Sequence, residues 1–152
     1  FSGDFEEIYS FISNNYWQHD VEDNAFILMR NKAGQIASLH STATQWQHRF
    51  RLDIILKEGL LELAGILSGS KSYGSETLKI IKREKEESTG TQREKLYTFL
   101  SDNSWKEEID QFAECLVKDQ PIQNGNCYDA LKIMELIFTI YKADKTWWNN
   151  LN

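Results

Sequence analysis

Apolar and polar residues alternate along residues 46–56 of the chain. The positions on one side of this alternation are Trp46, His48, Phe50, Leu52, Ile54 and Leu56. A period of two is typical of a strand with one buried face and one open face. We expect a turn at Glu58-Gly59, because glycine can take a positive φ, and a returning strand at Leu60–Leu63. The stretch therefore predicts two antiparallel strands.

Five further segments have the alternation, or the β-branched and aromatic content, of strands. They are residues 5–12, 22–31, 35–41, 76–83 and 95–100. The turn Asn31-Lys32-Ala33-Gly34 joins the second segment to the third as a hairpin. Glycine and serine in residues 68–74, and charged residues in residues 84–94, predict connecting loops.

The period of the apolar positions becomes helical after residue 103. Ser104 and Glu107 have the spacing of a capping box, which predicts a helix with Ser104 as its N-cap. Its expected buried stripe is Trp105, Ile109, Phe112, Leu116 and Val117. Pro121 follows the expected helix end, and Asn126 can cap a second helix. The expected stripe of that second helix is Ala130, Leu131, Met134, Ile137, Phe138 and Tyr141.

Strands followed by helices predict an α+β fold. We expect an open, largely antiparallel β-sheet with two C-terminal helices packed on one face. Residues 1–152 are expected to form a single domain, since the chain is long enough to bury its own core. Helices this short are marginal alone in water, so they should depend on the sheet for their stability.

The amino-acid composition and net charge argue against some classes of binding partner. The net charge of −6 argues against nucleic acid or an anionic membrane as the main partner. No apolar run approaches the roughly 20 residues that cross a bilayer. Cys115 and Cys127 are too few for a disulfide framework, so we expect small core or surface cysteines and a cytoplasmic protein. The chain begins at Phe1 without an initiator methionine, and we expect it to be part of something longer.

The sequence contains no complete catalytic signature, such as a dinucleotide fingerprint, a phosphate loop or a zinc spacing. The most informative cluster is His40, Trp46 and His48. Histidine can hydrogen-bond a sugar hydroxyl or relay a proton near neutral pH. An indole offers an apolar face on which a sugar ring can stack. The alternative is that Trp46 and His48 continue the core line of the strand, with His40 in a structural or surface role.

For the other charged and aromatic residues, the sequence favours structural or solvated roles. Glu22 and Asp23 point to opposite faces of a strand, so they cannot act as a joint acid/base pair. A row of mixed charge shares the open face at Arg49, Arg51 and Asp53. This row predicts a solvated face, with a subunit contact as the alternative. Trp147-Trp148 could pack on the sheet edge or on a partner chain.

Three segments resemble, in order and spacing, the C-terminal domain of the glucose–fructose oxidoreductase / inositol dehydrogenase / MocA family. They are residues 22–65, which begin EDNAFILMRNKAG, residues 72–78 (SYGSETL) and residues 128–144 (YDALKIMELIFTIYKAD). The shared pattern is an acidic residue before a strand, a small polar segment, a turn spanning Asp53-Ile54 to Gly59, and a closing helix. The first residues, Phe1–Phe5, also resemble the family.

The resemblance implies a longer enzyme with an N-terminal Rossmann domain that binds NAD or NADP. Hydride would pass between the nicotinamide and a sugar or polyol carbon. The lysine and histidine that move the hydroxyl proton would lie upstream of Phe1, so no catalytic residue is assigned to this chain and it binds no cofactor alone. The position seven before Asp53 often lines the family's substrate pocket. Trp46 is therefore the first candidate substrate-binding residue, and His48 is the second.

Two main hypotheses follow for the function. The first is the substrate-binding and oligomerisation domain of an NAD(P)-dependent oxidoreductase that acts on a sugar, sugar derivative or polyol. It implies a homo-oligomer through the open sheet face and an isolated chain without activity. The second is a non-enzymatic scaffold or assembly module with the same fold. An unrelated α+β ligand-binding domain is a third possibility.

Overall fold

The computed structural model describes residues 3–67, 72–83, 92–122 and 124–151. The strands are β1 (Phe5–Ser13), β2 (Asn24–Asn31), β3 (Ile36–Thr42), β4 (Arg51–Leu56), β5 (Gly59–Ala64), β6 (Glu76–Arg83) and β7 (Gln92–Phe99). The helices are α1 (Ser104–Val117), α2 (Cys127–Ala143) and α3 (Lys145–Leu151). Every strand pair formed by the described residues is antiparallel, and the helices follow the strands. The predicted α+β class is confirmed.

The strands fall into two sheets, in two compact units. Unit 1 comprises Phe1–Gln45 and Pro121–Asn152, and unit 2 comprises Trp46–Gln120. Sheet A of unit 1 has the order β1-β2-β3, and sheet B of unit 2 has the order β4-β5-β6-β7. Both sheets are meanders, because strands that are consecutive in the sequence lie side by side.

Sheet A is covered on one face. The core consists of Ala25, Ile27 and Met29 from β2 together with Ile140 from α2. Ser10 ties the helix to the sheet, because its Oγ donates a hydrogen bond of 2.6 Å to the Ile140 carbonyl. The opposite face of sheet A exposes Tyr9, Phe11, Phe26, Leu28 and Ile36. The alternation along β1 and β2 thus separates a packed face from an open apolar face.

The ends of α2 are fixed by side chains. Asn126 caps its start as predicted, since Oδ1 accepts a hydrogen bond of 3.0 Å from the Asp129 amide. At the other end Asp144 accepts from the backbone N–H of Ile12 at 2.8 Å and of Trp147 at 3.1 Å. This carboxylate joins β1 to α3, a helix that the apolar pattern did not predict. Trp147 is buried and α3 lies against the edge strand β1, in agreement with the sheet-edge interpretation.

Sheet B is covered less completely, because no described residue of its four strands is fully buried. The strand register places Leu52, Leu63 and Leu78 side by side on one face. The other face carries Asp53, Glu62 and Lys79 in the next row. The alternation of apolar and polar residues along residues 46–56 predicted one apolar face and one charged face.

The first strand of sheet B is shorter than predicted. The alternating pattern begins at Trp46, but the strand begins at Arg51, because its pairing with β5 starts at Arg51 and only the Phe50 carbonyl adds a hydrogen bond before that residue. The predicted turn is displaced by one residue: Lys57 and Glu58 form it, and Gly59 is already in β5. A Cβ on Gly59 would lie 2.1 Å from the Ile81 carbonyl oxygen, so close approach of β6 requires this glycine.

The first helix differs from its prediction in two respects. Asn103 is the N-cap and Ser104 is the first helical residue, so the capping box is wrong. The Asp102 carboxylate accepts from the Ser104 amide at 2.9 Å, and hydrogen bonds from Ser104 lower the pKa of Asp102. The predicted apolar stripe of α1 is exposed along its length, whereas Cys115 is buried.

The packed side of α2 is also rotated from the predicted stripe. Leu136 and Ile140, which the stripe does not include, contact the core together with Tyr141, which it does. Leu131, Met134 and Phe138 of the stripe remain about half exposed. The predicted loops at residues 68–74 and 84–94 lie partly outside the described residues.

The Tyr141 hydroxyl links α2 to the segment before β2 by donating a hydrogen bond of 2.6 Å to Glu22 Oε2. Burial, together with this carboxylate, raises the pKa of Tyr141 to about 12, from an ordinary 10.0. The unfolded chain therefore loses the tyrosine proton at lower pH than the folded chain. The contribution of Tyr141 to stability should be complete below about pH 10 and lost as the pH approaches 12.

Urea unfolding at pH 9, 10, 11 and 12 measures this effect. The wild type should lose more stability across that range than Tyr141→Phe, because phenylalanine cannot ionise. Parallel curves for the two proteins would contradict the assignment. At pH 9 the variant should itself be less stable by about 1.5–3 kcal/mol, the usual contribution of a hydrogen bond to a charged group.

Candidate functional site

Three segments of unit 2 meet at one end of sheet B, where β4 and β6 begin and β5 ends. They are, in order, residues 46–50, 65–67 and 72–76. The Gly65 amide donates a hydrogen bond of 3.1 Å to the Phe50 carbonyl, which holds the first segment to the second. The Leu67 amide donates to Glu76 Oε2 at 3.0 Å, which holds the second to the third. These bonds bring together side chains that are distant in sequence.

His48 lies at the centre of this end of the sheet. Its Nδ1 is joined to Ser72 Oγ by a hydrogen bond of 2.5 Å. Its ring stacks on Tyr73 with a centroid separation of 4.9 Å and an interplanar angle of 23°. We call these three residues the His48 cluster. The hydroxyl and the phenol ring orient the imidazole, and Nε2 makes no hydrogen bond within the described part of the chain.

Gly65 makes this arrangement possible. Its φ of +71° lies in the left-handed region that favours glycine. A Cβ at this position would lie 2.1 Å from the Ser75 carbonyl oxygen. The chain of residues 72–75 can therefore run beside the end of β5 only because position 65 has no side chain.

Trp46 belongs to the same segment as His48, and 96% of its surface is exposed. Because the strand begins only at Arg51, the alternative that Trp46 and His48 continue the core line is wrong. Both side chains are on the surface. An exposed indole two residues from an oriented imidazole can offer a stacking face and a hydrogen-bonding atom to the same ligand.

His40, the third residue of the predicted cluster, lies in unit 1 on β3. Its ring stacks on Phe26 with the centroids 3.9 Å apart and the planes 11° from parallel. Its Nε2 forms a hydrogen bond of 3.0 Å with Asn24 Oδ1. His40 is therefore an exposed residue of the open face of sheet A, as the surface alternative expected.

Two members of the predicted charged row, Arg51 and Asp53, pair with each other, and Arg51 also pairs with Glu62 of β5. Arg51 Nε donates to both Asp53 oxygens at 3.0 and 3.1 Å, and its Nη2 donates to Glu62 Oε2 at 2.7 Å. Both carboxylates raise the pKa of Arg51, Asp53 more than Glu62. These exposed groups satisfy one another, in agreement with a solvated face.

The structure adds two residues that the sequence analysis did not select, Ser72 and Tyr73. They lie within residues 68–74, a stretch that was assigned only as a loop. In an antiparallel meander the residues before β6 lie beside those after β5, and these in turn lie beside the residues before β4. The expected pairing of the strands could therefore have predicted that residues 72–74 (SYG) lie next to residues 46–48 (WQH).

The described residues contain neither a metal-ligand cluster nor a membrane-spanning helix. No three His, Cys, Asp or Glu side chains there converge in the manner of a metal site. None of the helices in the described ranges combines the length and the apolar character that crossing a membrane requires.

No family model and no curated protein matches the sequence. Solved structures do match the fold. One is a UDP-N-acetylglucosamine 3-dehydrogenase from Acidithiobacillus ferrooxidans, at a TM-score of 0.60 and 16% identity over 78% of this chain. Another is a provisionally assigned NADPH-dependent oxidoreductase from Desulfitobacterium hafniense, at a TM-score of 0.64 and 13% identity over 86% of this chain.

This chain spans little more than a third of those proteins, 35% of the first and 37% of the second. Such low identity supports a conclusion about fold alone. The three segments that resemble the oxidoreductase family lie in units whose fold recurs in these two oxidoreductases. The fold of this chain thus recurs in these two oxidoreductases, as its resemblance to the glucose–fructose oxidoreductase / inositol dehydrogenase / MocA family implies.

Proposed function

We propose that this chain is the substrate-binding and oligomerisation domain of a cytoplasmic NAD(P)-dependent oxidoreductase that acts on a sugar, sugar derivative or polyol. The fold shared with two oxidoreductases supports the class of protein. The observation that supports the substrate class is the exposed Trp46 beside the His48 cluster. Aromatic faces and oriented polar groups together suit a ring with an apolar face and hydroxyl edges.

Each residue has a distinct role in this proposal. The indole of Trp46 stacks on one face of the sugar ring. His48 Nε2 hydrogen-bonds a hydroxyl, because Nδ1 is engaged by Ser72. Ser72 and Tyr73 position the imidazole and need not touch the substrate. NAD or NADP, held by another part of a longer protein, would accept or supply the hydride.

Substituting Trp46 by alanine tests the pocket. In the longer protein that contains this chain, Trp46→Ala should raise the KM for the sugar or polyol by about tenfold, equivalent to a loss of ~1.4 kcal/mol of binding. The Kd for NAD(P) should not change, because the nucleotide contacts lie outside this chain. Steady-state kinetics and nucleotide titration measure the two constants separately.

Trp105→Ala is the matched control for this variant. Trp105 is also an exposed tryptophan of unit 2, but it lies on α1. The control should leave the KM within about twofold of the wild type. A Trp46→Ala protein with an unchanged KM, or one that loses NAD(P) affinity equally, would contradict the pocket assignment.

The oligomer contact is proposed at the open face of sheet A. That face exposes an apolar row, whereas α2 covers the other face. Leu28 lies in the middle strand with 58% of its surface exposed. A second copy of the chain placed against this face would bury that row.

Leu28→Glu should convert the oligomer to monomers, because a carboxylate would be buried against apolar side chains. Light scattering after size exclusion gives the mass. The control is Ile133→Glu, since Ile133 on α2 is 59% exposed and should not alter the mass. A wild-type monomer at high micromolar concentration, or an unchanged oligomer in Leu28→Glu, would exclude this face as the contact.

A further inference from the structure

The connection between β1 and β2 is much longer than an antiparallel hairpin requires, because two residues can join such strands. Residues 14–20 of this connection have the sequence NNYWQHD. We call them the aromatic loop. They belong to unit 1, and the roles proposed above for Trp46 and His48 do not involve them.

A buried carboxylate holds the backbone of the aromatic loop. Only 5% of the surface of Asp23 is exposed, and its Oδ2 accepts from the amides of Tyr16 at 2.8 Å and Trp17 at 3.0 Å. Burying a carboxylate is costly unless hydrogen bonds compensate for the lost water. The two amides provide that compensation, so the position of the loop backbone is coupled to the burial of Asp23.

The loop is also tied to the end of β3. Trp17 Nε1 donates a hydrogen bond of 3.0 Å to the Ala43 carbonyl, and the Ala43 amide donates to the Asp23 carbonyl at 2.8 Å. Gln18 has a φ of +55°, a region that non-glycine residues rarely occupy. Such a conformation persists only where surrounding contacts impose it, and it is frequent in ligand-binding segments.

The aromatic rings on this fixed backbone face solvent. Tyr16 is 57% exposed and Trp17 is 52% exposed. The two rings meet edge to face at 4.9 Å, and the Trp17 indole lies parallel to the His19 ring at 6.4 Å. The fold thus holds large aromatic surfaces in water on a backbone that is already ordered. Pre-ordering of this kind removes an entropic cost from ligand binding.

We propose that the aromatic loop is a binding site for a neutral saccharide, in addition to the site proposed at Trp46. The composition of the loop favours this ligand over others. Its remaining side chains are three amides and a carboxylate, which hydrogen-bond hydroxyl groups, with no aliphatic residue and no lysine or arginine. An anionic ligand would meet Asp20 without a cationic side chain from the loop. An apolar peptide would leave the exposed amides of Asn15 and Gln18 without hydrogen-bond partners, whereas Asn14 Nδ2 already donates to the His19 carbonyl at 2.7 Å.

Saturation-transfer NMR on the 152-residue chain tests the site, with methyl β-D-glucopyranoside as the probe. The experiment is performed in a Trp46→Ala background, so that the proposed substrate pocket does not contribute. Saturation transfer from the protein to the sugar-ring protons of the probe should persist in the Trp46→Ala background. Adding Trp17→Ala should reduce it at least fivefold, whereas adding Trp105→Ala should leave it unchanged.

Tyr16→Ala serves as the second variant, because its side chain makes no hydrogen bond within the described residues and its loss should not unfold the loop. It should reduce the transfer at least twofold. Transfer that is absent in the Trp46→Ala background, or unaffected by both loop variants, would overturn the proposal. A change in oligomeric mass on Trp17→Ala without any saccharide transfer would assign the loop to a protein contact and would also overturn it. The outcome does not depend on NAD(P) chemistry, so it is distinguishable from failure of the proposed function.

Discussion

Gly65→Ala should destabilise the protein by about 2–5 kcal/mol, the sum of a left-handed backbone penalty and an overpacking penalty. The glycine has a φ of +71°, and an added Cβ would meet the Ser75 carbonyl oxygen at 2.1 Å. The backbone of β5 cannot move away without breaking its hydrogen bonds to β4 and β6. The substitution should therefore also separate Ser72 from His48. Urea unfolding followed by circular dichroism measures the stability.

Gly74→Ala is the matched control. Gly74 has a φ of +79°, similar to that of Gly65, but a Cβ there would meet nothing within 4 Å. Gly74→Ala should lower the free energy of unfolding only by the left-handed backbone penalty, about 1–2 kcal/mol. Equal destabilisation by the two variants would show that close approach to Ser75 does not matter, and the account of this end of sheet B would be wrong.

Ile27→Ala should lower the free energy of unfolding by about 2–5 kcal/mol, as large-to-small substitutions in a core usually do. Only 4% of the surface of Ile27 is exposed, and it lies in the core between sheet A and α2. Alanine would leave a cavity at the one place where the sheet is closely covered. Because α2 depends on this contact, its helical signal should be lost in the same transition.

Ile133→Ala applies the same chemical change on the outer side of α2, where the side chain is 59% exposed. Its effect should stay within about 0.5 kcal/mol, the range of ordinary surface substitutions. Similar losses from the two variants would mean that the packed face of sheet A has been assigned wrongly.

The sequence predicts most of the strands because their residues alternate in polarity. Sheet A follows the pattern closely, since β2 buries Ala25, Ile27 and Met29 and exposes the residues between them. Alternation continues from Trp46 into β4, although the ladder begins at Arg51. A polarity pattern reports which side of the chain is apolar and does not report whether a neighbouring strand is present to bond it.

The helices show a second limit of pattern analysis. The spacing of apolar residues correctly predicts α1 and α2, but it does not determine which side of each helix is packed. On α1 the stripe from Trp105 to Leu116 is exposed, and only the neighbouring Cys115 is buried. Packing depends on which surface lies opposite the helix, and that information is not local in the sequence.

The candidate site could be predicted in part. Trp46 and His48 were selected because an indole and an imidazole lie close in sequence, and the structure confirms that both are accessible. Ser72 and Tyr73 were not selected, because their proximity to His48 depends on strand pairing over a long sequence separation. Asp23 was expected to be structural or solvated, and its bonds to two loop amides are consistent with the structural role.

The most direct test of the central claim is nicotinamide-dependent turnover by the longer protein that contains this chain. Absorbance at the reduced-nicotinamide band is followed with NAD or NADP against a panel of free sugars, nucleotide-linked sugars and polyols. The account predicts reduction of the nucleotide with at least one of these compounds, and a KM that rises in the Trp46→Ala variant. A longer protein that neither binds NAD(P) nor oxidises any of these compounds would contradict the account and favour a non-enzymatic scaffold.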